Sequence, residues 1–237
     1  MFLRFKLVCA AALALAFMPA RTATAAPQDD LKGVLDRLNV SAANFRSASA
    51  EVEYDTIETD PVPDTDVWKG MVYYERKNNA VSMGVHFDTH NQNPSGKAYT
   101  YVGGVFMLFE SGINQVTTHA GAAKFESYVI LGFGASGNDL EAKWDIKYLG
   151  SETLSDGKGM VKTAELELVA KDPAVLKTVS KVTIWVDPDR AVSLKQVFVL
   201  SATSTWVCKY SDFNLNQRLP ADAFTFKTNR QTVYQKQ

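Results

Sequence analysis

Three histidines, a mid-strand cysteine, three spaced glycines and two close glutamates are the residues here whose types and spacing could do chemistry. His86 and His90 stand four apart, an interval that on a helix aims two imidazoles at one zinc ion. They sit where a strand pattern runs into a turn, and neither a cysteine pair nor a third ligand accompanies them. No metal site is predicted. Gly132, Gly134 and Gly137 spell G-x-G-x-x-G, the spacing of a dinucleotide loop. That loop needs a following helix within a parallel β-α-β unit. Only residues 138–143 precede the next strand pattern, so a glycine-rich turn is expected. Ser111 and Ser136 lack the G-x-S-x-G elbow of a hydrolase nucleophile. Cys208 lies mid-strand beside Trp206 and Val207, the setting of a packed, inert thiol. Glu165 and Glu167 share one strand face and Leu166 and Leu168 the other, a solvated stripe over a buried one. No catalytic set and no cofactor are expected, and the chain is not read as an enzyme.

The elements around these residues follow from periodicity. Leu31, Val34, Leu35 and Leu38 fall at i, i+3, i+4 and i+7, one apolar stripe of a helix that Asp29 or Asp30 can cap. From Val52 onward the period becomes two. Trp68, Gly70, Val72, Tyr74 and Arg76 share one parity, and Val81, Met83, Val85 and Phe87 form another alternating run. Gly103-Gly104 joins two such runs as a two-residue hairpin turn. Residues 122–137 fit a short helix or a strand. Asp172-Pro173 opens a short helix with proline at its first position. Asp187-Pro188-Asp189 turns a hairpin, and residues 205–210 and 224–227 read as closing strands. About ten or eleven short strands in meander order predict a mainly β (α+β) fold. A sheet this wide curls, which gives an unclosed antiparallel barrel with a helical lid over its mouth.

The N-terminus sets the compartment. Arg4 and Lys6 precede an apolar run from Leu7 to Phe17, too short for a bilayer span, and Ala23-Thr24-Ala25 supplies small-x-small before Ala26. Residues 1–25 read as a signal peptide and 26–237 as a single domain that works in the periplasm. Cys9 leaves with the leader, so Cys208 has no partner for an internal disulfide. Removing three basic residues and no acid leaves 22 basic against 26 acidic, a net charge of −4. That balance excludes a nucleic-acid footprint and a polybasic lipid-surface patch. Aromatic residues recur on nearly every strand, among them Trp68, Tyr74, Tyr99, Tyr101, Phe106, Phe198 and Trp206. Ordinary sheet packing and an apolar concave face larger than one helix can fill both account for them.

Several segments, taken in order, carry a resemblance. These are Phe45-Arg46-Ser47-Ala48-Ser49-Ala50 after the helix, Gly70 to Arg76, and Tyr99 to Thr118 around Gly103-Gly104. Val182 to Pro188 follows, then Phe213-Asn214, Leu219-Pro220 and Phe224-Thr225-Phe226. This series is similar to the periplasmic outer-membrane lipoprotein carrier (LolA-type) and lipoprotein-sorting family. Two positions depart from it: Lys77 replaces the family's proline after arginine, and Gly103 its hairpin aspartate. The resemblance implies an apolar cavity for the acyl chains of lipoproteins or similar amphiphiles, with no cofactor. It implies a lid stripe of Leu31, Val34, Leu35 and Leu38, and it matches Arg76 to the arginine that ties strand to lid. The cavity lining expected on this basis is Trp68, Val72, Tyr74, Arg76, Met83, Val85, Tyr99, Tyr101, Phe106, Leu166, Leu168, Phe198 and Trp206. The implied partners are acylated lipoproteins or lipids, an inner-membrane donor and an outer-membrane acceptor, with the carrier itself a monomer. The alternative is a lipid-sensing regulatory protein on the same fold.

Overall fold

A computed structural model describes residues 30–77, 80–119, 128 and 131–237. The leader read in residues 1–25 and most of the ambiguous 122–137 segment lie outside them. Helix α1 (Leu31–Asn44) starts where expected, with the Asp30 carboxylate accepting from the Gly33 N–H at 2.7 Å. This satisfies one of the donors that a helix start leaves open. Val34, Leu35, Leu38 and Ala42 are buried, while Lys32 and Asp36 pair on the solvent side.

The first meander comprises β1 (Ser47–Glu58), β2 (Asp64–Lys77), β3 (Ala80–His90), β4 (Asn93–Val102), β5 (Val105–Glu110) and β6 (Gln115–His119). Gly103 and Gly104 turn the β4–β5 hairpin with φ of 58° and 79°, a left-handed pair suited to glycine. Helix α2 (Gly137–Lys143) follows, closed by a capping box between Ser136 and Asp139. The second meander runs β7 (Trp144–Ser155), β8 (Met160–Ala170), the short helix α3 (Pro173–Leu176), β9 (Lys181–Asp187), β10 (Val192–Val199) and β11 (Ser204–Leu215). β1 pairs with β11 and fuses the two meanders into one sheet, which the last strand, β12 (Val233–Lys236), joins at one edge, giving the order β12-β6-β5-β4-β3-β2-β1-β11-β10-β9-β8-β7. Its two edges do not meet, so the sheet is unclosed.

The described residues hold twelve strands, more than the ten or eleven expected. The last, β12 (Val233–Lys236), lies parallel to β6. Residues 224–227, expected to be a strand, are not one. This stretch instead crosses the outer face of the sheet. Gly84 of β3 makes the crossing possible, because a Cβ there would lie 1.8 Å from the Ala223 carbonyl oxygen. Phe226 then stacks on Phe109 of β5, ring centres 5.6 Å apart. The alternation at 224–227 therefore reflects packing on the sheet and not pairing within it.

The sheet supports two apolar clusters. One places the α1 stripe against Leu166 and Leu168 of β8 and Val182, Ile184 and Val186 of β9. The other gathers Val52, Val72, Tyr74, Met83, Phe87 and Tyr210 from β1, β2, β3 and β11 around Phe133. Each fully buried Leu, Ile or Phe stabilises the fold by roughly 1.5–3 kcal/mol relative to exposure.

Candidate functional site

Against the sheet, where the first meander meets β10 and β11, lies a cavity of about 390 Å³. Alternate residues of each strand line it, as the period-two geometry of a strand requires. Val52 and Tyr54 come from β1, Val72 and Tyr74 from β2, and Met83, Val85 and Phe87 from β3. Tyr99, Phe106 and His119 stand on β4, β5 and β6, while β10 and β11 supply Gln196, Phe198, Trp206, Cys208 and Tyr210. Tyr128, Thr178 and Val179 complete the described lining. The rings touch in series. Phe87 lies 6.0 Å from Tyr54, 5.7 Å from Trp68 and 5.9 Å from Tyr99, and Trp206 meets Tyr54 edge-on at 6.0 Å. Such arrays suit apolar ligands, and aromatic pairs add about 0.5–1.5 kcal/mol each beyond area burial.

None of the described lining side chains is Lys, Arg, Asp or Glu. Several of the polar groups in the lining turn to protein partners. The Gln196 amide donates to the Leu131 carbonyl, and its oxygen accepts from the Tyr210 hydroxyl at 3.1 Å. Tyr128 donates to the Val175 carbonyl at 3.0 Å. Burial raises the Tyr54 and Tyr74 phenols above their ordinary range and pushes the Cys208 thiol up to about 12. Cys208 lies on the cavity wall and is not a nucleophile held ready as thiolate.

The glycine series has a role that differs from phosphate binding. Gly132 and Gly134 adopt φ of 76° and 68°, and between them Phe133 is driven fully inside. Its ring stacks on Tyr74 at 4.0 Å and meets Tyr210 edge-on at 4.9 Å. A Cβ at Gly134 would lie 2.3 Å from the Phe45 ring, so a larger residue is excluded there.

Of the thirteen residues expected to line the cavity, Val72, Tyr74, Met83, Val85, Tyr99, Phe106, Phe198 and Trp206 stand around it. Five do not. Leu166 and Leu168 lie beneath α1, because that stretch of the concave face is covered by the lid. Trp68 sits beside the wall, stacked on His90 at 3.8 Å with the Lys97 ammonium 4.5 Å from its ring centre. Tyr101 is buried in the sheet core outside the lining. Arg76, near the end of β2, points toward α2, with its guanidinium 4.0 Å from the Asp139 carboxylate. Val52, Tyr54, Cys208 and Tyr210 also line the cavity, and their alternation with charged neighbours is the signal that marks them. Gln196 was hidden by its polarity, and Thr178 and Val179 by the irregular stretch that carries them.

Of the lid stripe, Val34, Leu35 and Leu38 are buried and Leu31 is half-buried. Polar contacts fasten α1 in place. Arg37 grips Asp189, Ser41 donates to the Asp189 carbonyl at 2.9 Å, and the Asn138 N–H donates to Asn39 at 3.0 Å. A larger groove of about 760 Å³ lies across the charged face of β1, β2 and β11. Two of its three lysines are in ion pairs: Lys209 reaches Glu53 at 2.6 Å and Asp55 at 3.0 Å, and Lys69 reaches Glu53 at 2.6 Å. This groove is rich in charged side chains, whereas the smaller cavity is the apolar one. Among the described residues no group of three or more His, Cys, Asp or Glu could hold a metal ion.

No protein-family model matches the sequence, and the search of curated proteins finds no match. Solved structures do match. An uncharacterized conserved protein from Thermus thermophilus aligns with a TM-score of 0.50 at 12% identity, over 87% of this chain and 98% of that one. MucB aligns with a TM-score of 0.50 at 12% identity, over 86% of this chain and 65% of MucB. These two likenesses show the fold. A LolA superfamily protein from Nitrosomonas europaea also aligns, at 18% identity over 84% of this chain and 98% of that one, TM-score 0.40.

Proposed function

We propose that this protein is a periplasmic carrier that takes acyl chains of lipoproteins or similar amphiphiles into the cavity and shuttles them toward the outer membrane. The observation that carries the reading is the cavity of about 390 Å³ walled by apolar and aromatic side chains, with no Lys, Arg, Asp or Glu in its described lining. Each methylene left in water costs about 0.8 kcal/mol, so an acylated molecule crosses an aqueous space only when a partner covers its chain. The wall supplies that cover without covalent chemistry. Export by the leader in residues 1–25, and action as a single domain from residue 26, belong to this reading.

The test is native mass spectrometry with lipid extraction on protein isolated from the exporting cell. Bound acylated amphiphile is expected. Protein that is empty after gentle isolation, and stays empty when offered lipid, would overturn the proposal.

A second reading, lipid-responsive regulation through a protein partner, is favoured by the fold shared with MucB. MucB has been solved in complex with MucA. A stable complex with one membrane protein, in the absence of acylated cargo, would place this reading first.

A further inference from the structure

The cavity wall carries phenols where bare rings would bury as much apolar area. Phe87, Phe106 and Phe198 show that the lining accepts unsubstituted rings, and a phenol adds to such a ring one hydroxyl that seeks a partner. Tyr210 gives its hydroxyl proton to Gln196. Tyr54 and Tyr74 have no such use for theirs. Neither hydroxyl forms a hydrogen bond among the described residues, and neither oxygen is sealed from space that a small polar group can enter. Yet Tyr74 is only 4% exposed. Building on the carrier reading above, we infer that these two hydroxyls are a subsite for the carbonyl oxygen of an acyl group, ester or amide. The cavity then recognises the acyl linkage as well as the hydrocarbon.

The sheet register brings the polar groups together. Tyr54 of β1 stands directly across from Cys208 of β11, and Cys208 across from Gln196 of β10. Cross-strand partners project from the same face, and Tyr210 follows two residues beyond Cys208 on that face. Phe133 touches the rings of both Tyr74 and Tyr210. Burial first, then the neighbouring Cys208, Tyr74 and Tyr54 groups, hold the Tyr210 phenol well above its ordinary value, in agreement with this placement.

The chemistry selects the acceptor. A hydroxyl covered by hydrocarbon loses the hydrogen bond that it makes in water, and a ligand that brings an acceptor restores it. With no Lys or Arg in the described lining, a carboxylate or phosphate drawn there would lack a counter-charge. Burial raises the Tyr54 and Tyr74 phenols, so both remain protonated donors. The fitting partner is a neutral acceptor, and the carbonyl at the head of each acyl chain is one. A ligand with several chains brings several.

The experiment uses protein isolated from the exporting cell and stripped of bound lipid, with two synthetic cysteinyl peptides. One carries a thioglyceryl group with two palmitoyl esters. The other carries two hexadecyl ethers at the same positions, which keeps the chains and removes both carbonyls. The ester peptide is expected to bind about fivefold more tightly, the worth of one ordinary hydrogen bond. Tyr54→Phe and Tyr74→Phe should each reduce that preference. The double variant should bind both peptides alike, with ether affinity at the native level showing that the cavity is intact. Should the double variant not fold, the single variants decide the matter. Equal binding of the two peptides by the native protein would overturn the carbonyl inference and leave the carrier reading standing. So would a preference undiminished in the variants. Failure of the native protein to bind either peptide would defeat the carrier reading itself.

Discussion

Arg37 of α1 holds Asp189 of the β9–β10 turn through two parallel bonds, Nε to Oδ1 at 2.9 Å and Nη2 to Oδ2 at 2.7 Å. The pair is the main polar tie between the lid and the second meander. Both side chains are partly exposed, 39% and 69%, so solvent screening keeps its worth within roughly 0.2–1 kcal/mol. Arg37→Ala should therefore leave the sheet intact and raise hydrogen exchange of the Val34 and Leu38 amides by up to about fivefold. The Arg37 hydrogen bond holds the Asp189 carboxyl below the usual aspartate value of 3.8. The stabilisation is thus present above that value and is lost as pH falls through the lower, folded one. Urea midpoints of the native protein and Arg37→Ala should differ at neutral pH and converge in acid.

Phe133 is a core residue behind the Tyr74 wall of the cavity. Phe133→Ala removes the ring stacked on Tyr74 and leaves a void that rigid strands cannot close. A loss of about 3–5 kcal/mol is expected by urea denaturation. Where the variant still folds, the void joins the ligand cavity, and the best acyl chain becomes longer. Gly134→Ala should destabilise too, because the added Cβ strikes the Phe45 ring and φ there is 68°.

Cys208 reports on the cavity from inside. With its thiol pushed up to about 12 by burial, roughly one molecule in ten thousand is ionised at pH 8. Iodoacetamide labelling of the protein without its leader, followed by mass spectrometry, should run at least about a hundredfold slower than on a free thiol. It should slow further when a single-chain lipid is added. Rapid labelling that lipid does not affect would show that the thiol is open to solvent and away from the ligand.

Much of the fold was legible because its signals are local. The α1 stripe, the paired glycines at 103 and 104, and the alternation along β2 and β3 each depend on residues within one turn or one strand. The lid contacts and the division of the concave face were less legible, because they depend on which strands end up side by side. Leu166 and Val72 look alike in sequence, both apolar on an alternating strand. Only the pairing of β1 with β11 places one under α1 and the other at the cavity. The same reasoning bears on mutagenesis. Val72 is 1% exposed, so a glutamate there would break the core, and half-buried Val85 is the better place for one. Val85→Glu should lose lipid binding while far-UV circular dichroism keeps its sheet signature.

The most direct measurement uses Trp206, which lines the cavity where Trp68, Trp144 and Trp185 do not. A single-chain lysolipid brominated along its acyl tail quenches tryptophans that it touches. The account predicts saturable quenching in the native protein, with most of that quenching gone in Trp206→Phe. No quenching at saturating probe, or undiminished quenching in Trp206→Phe, would show that no acyl chain enters this cavity.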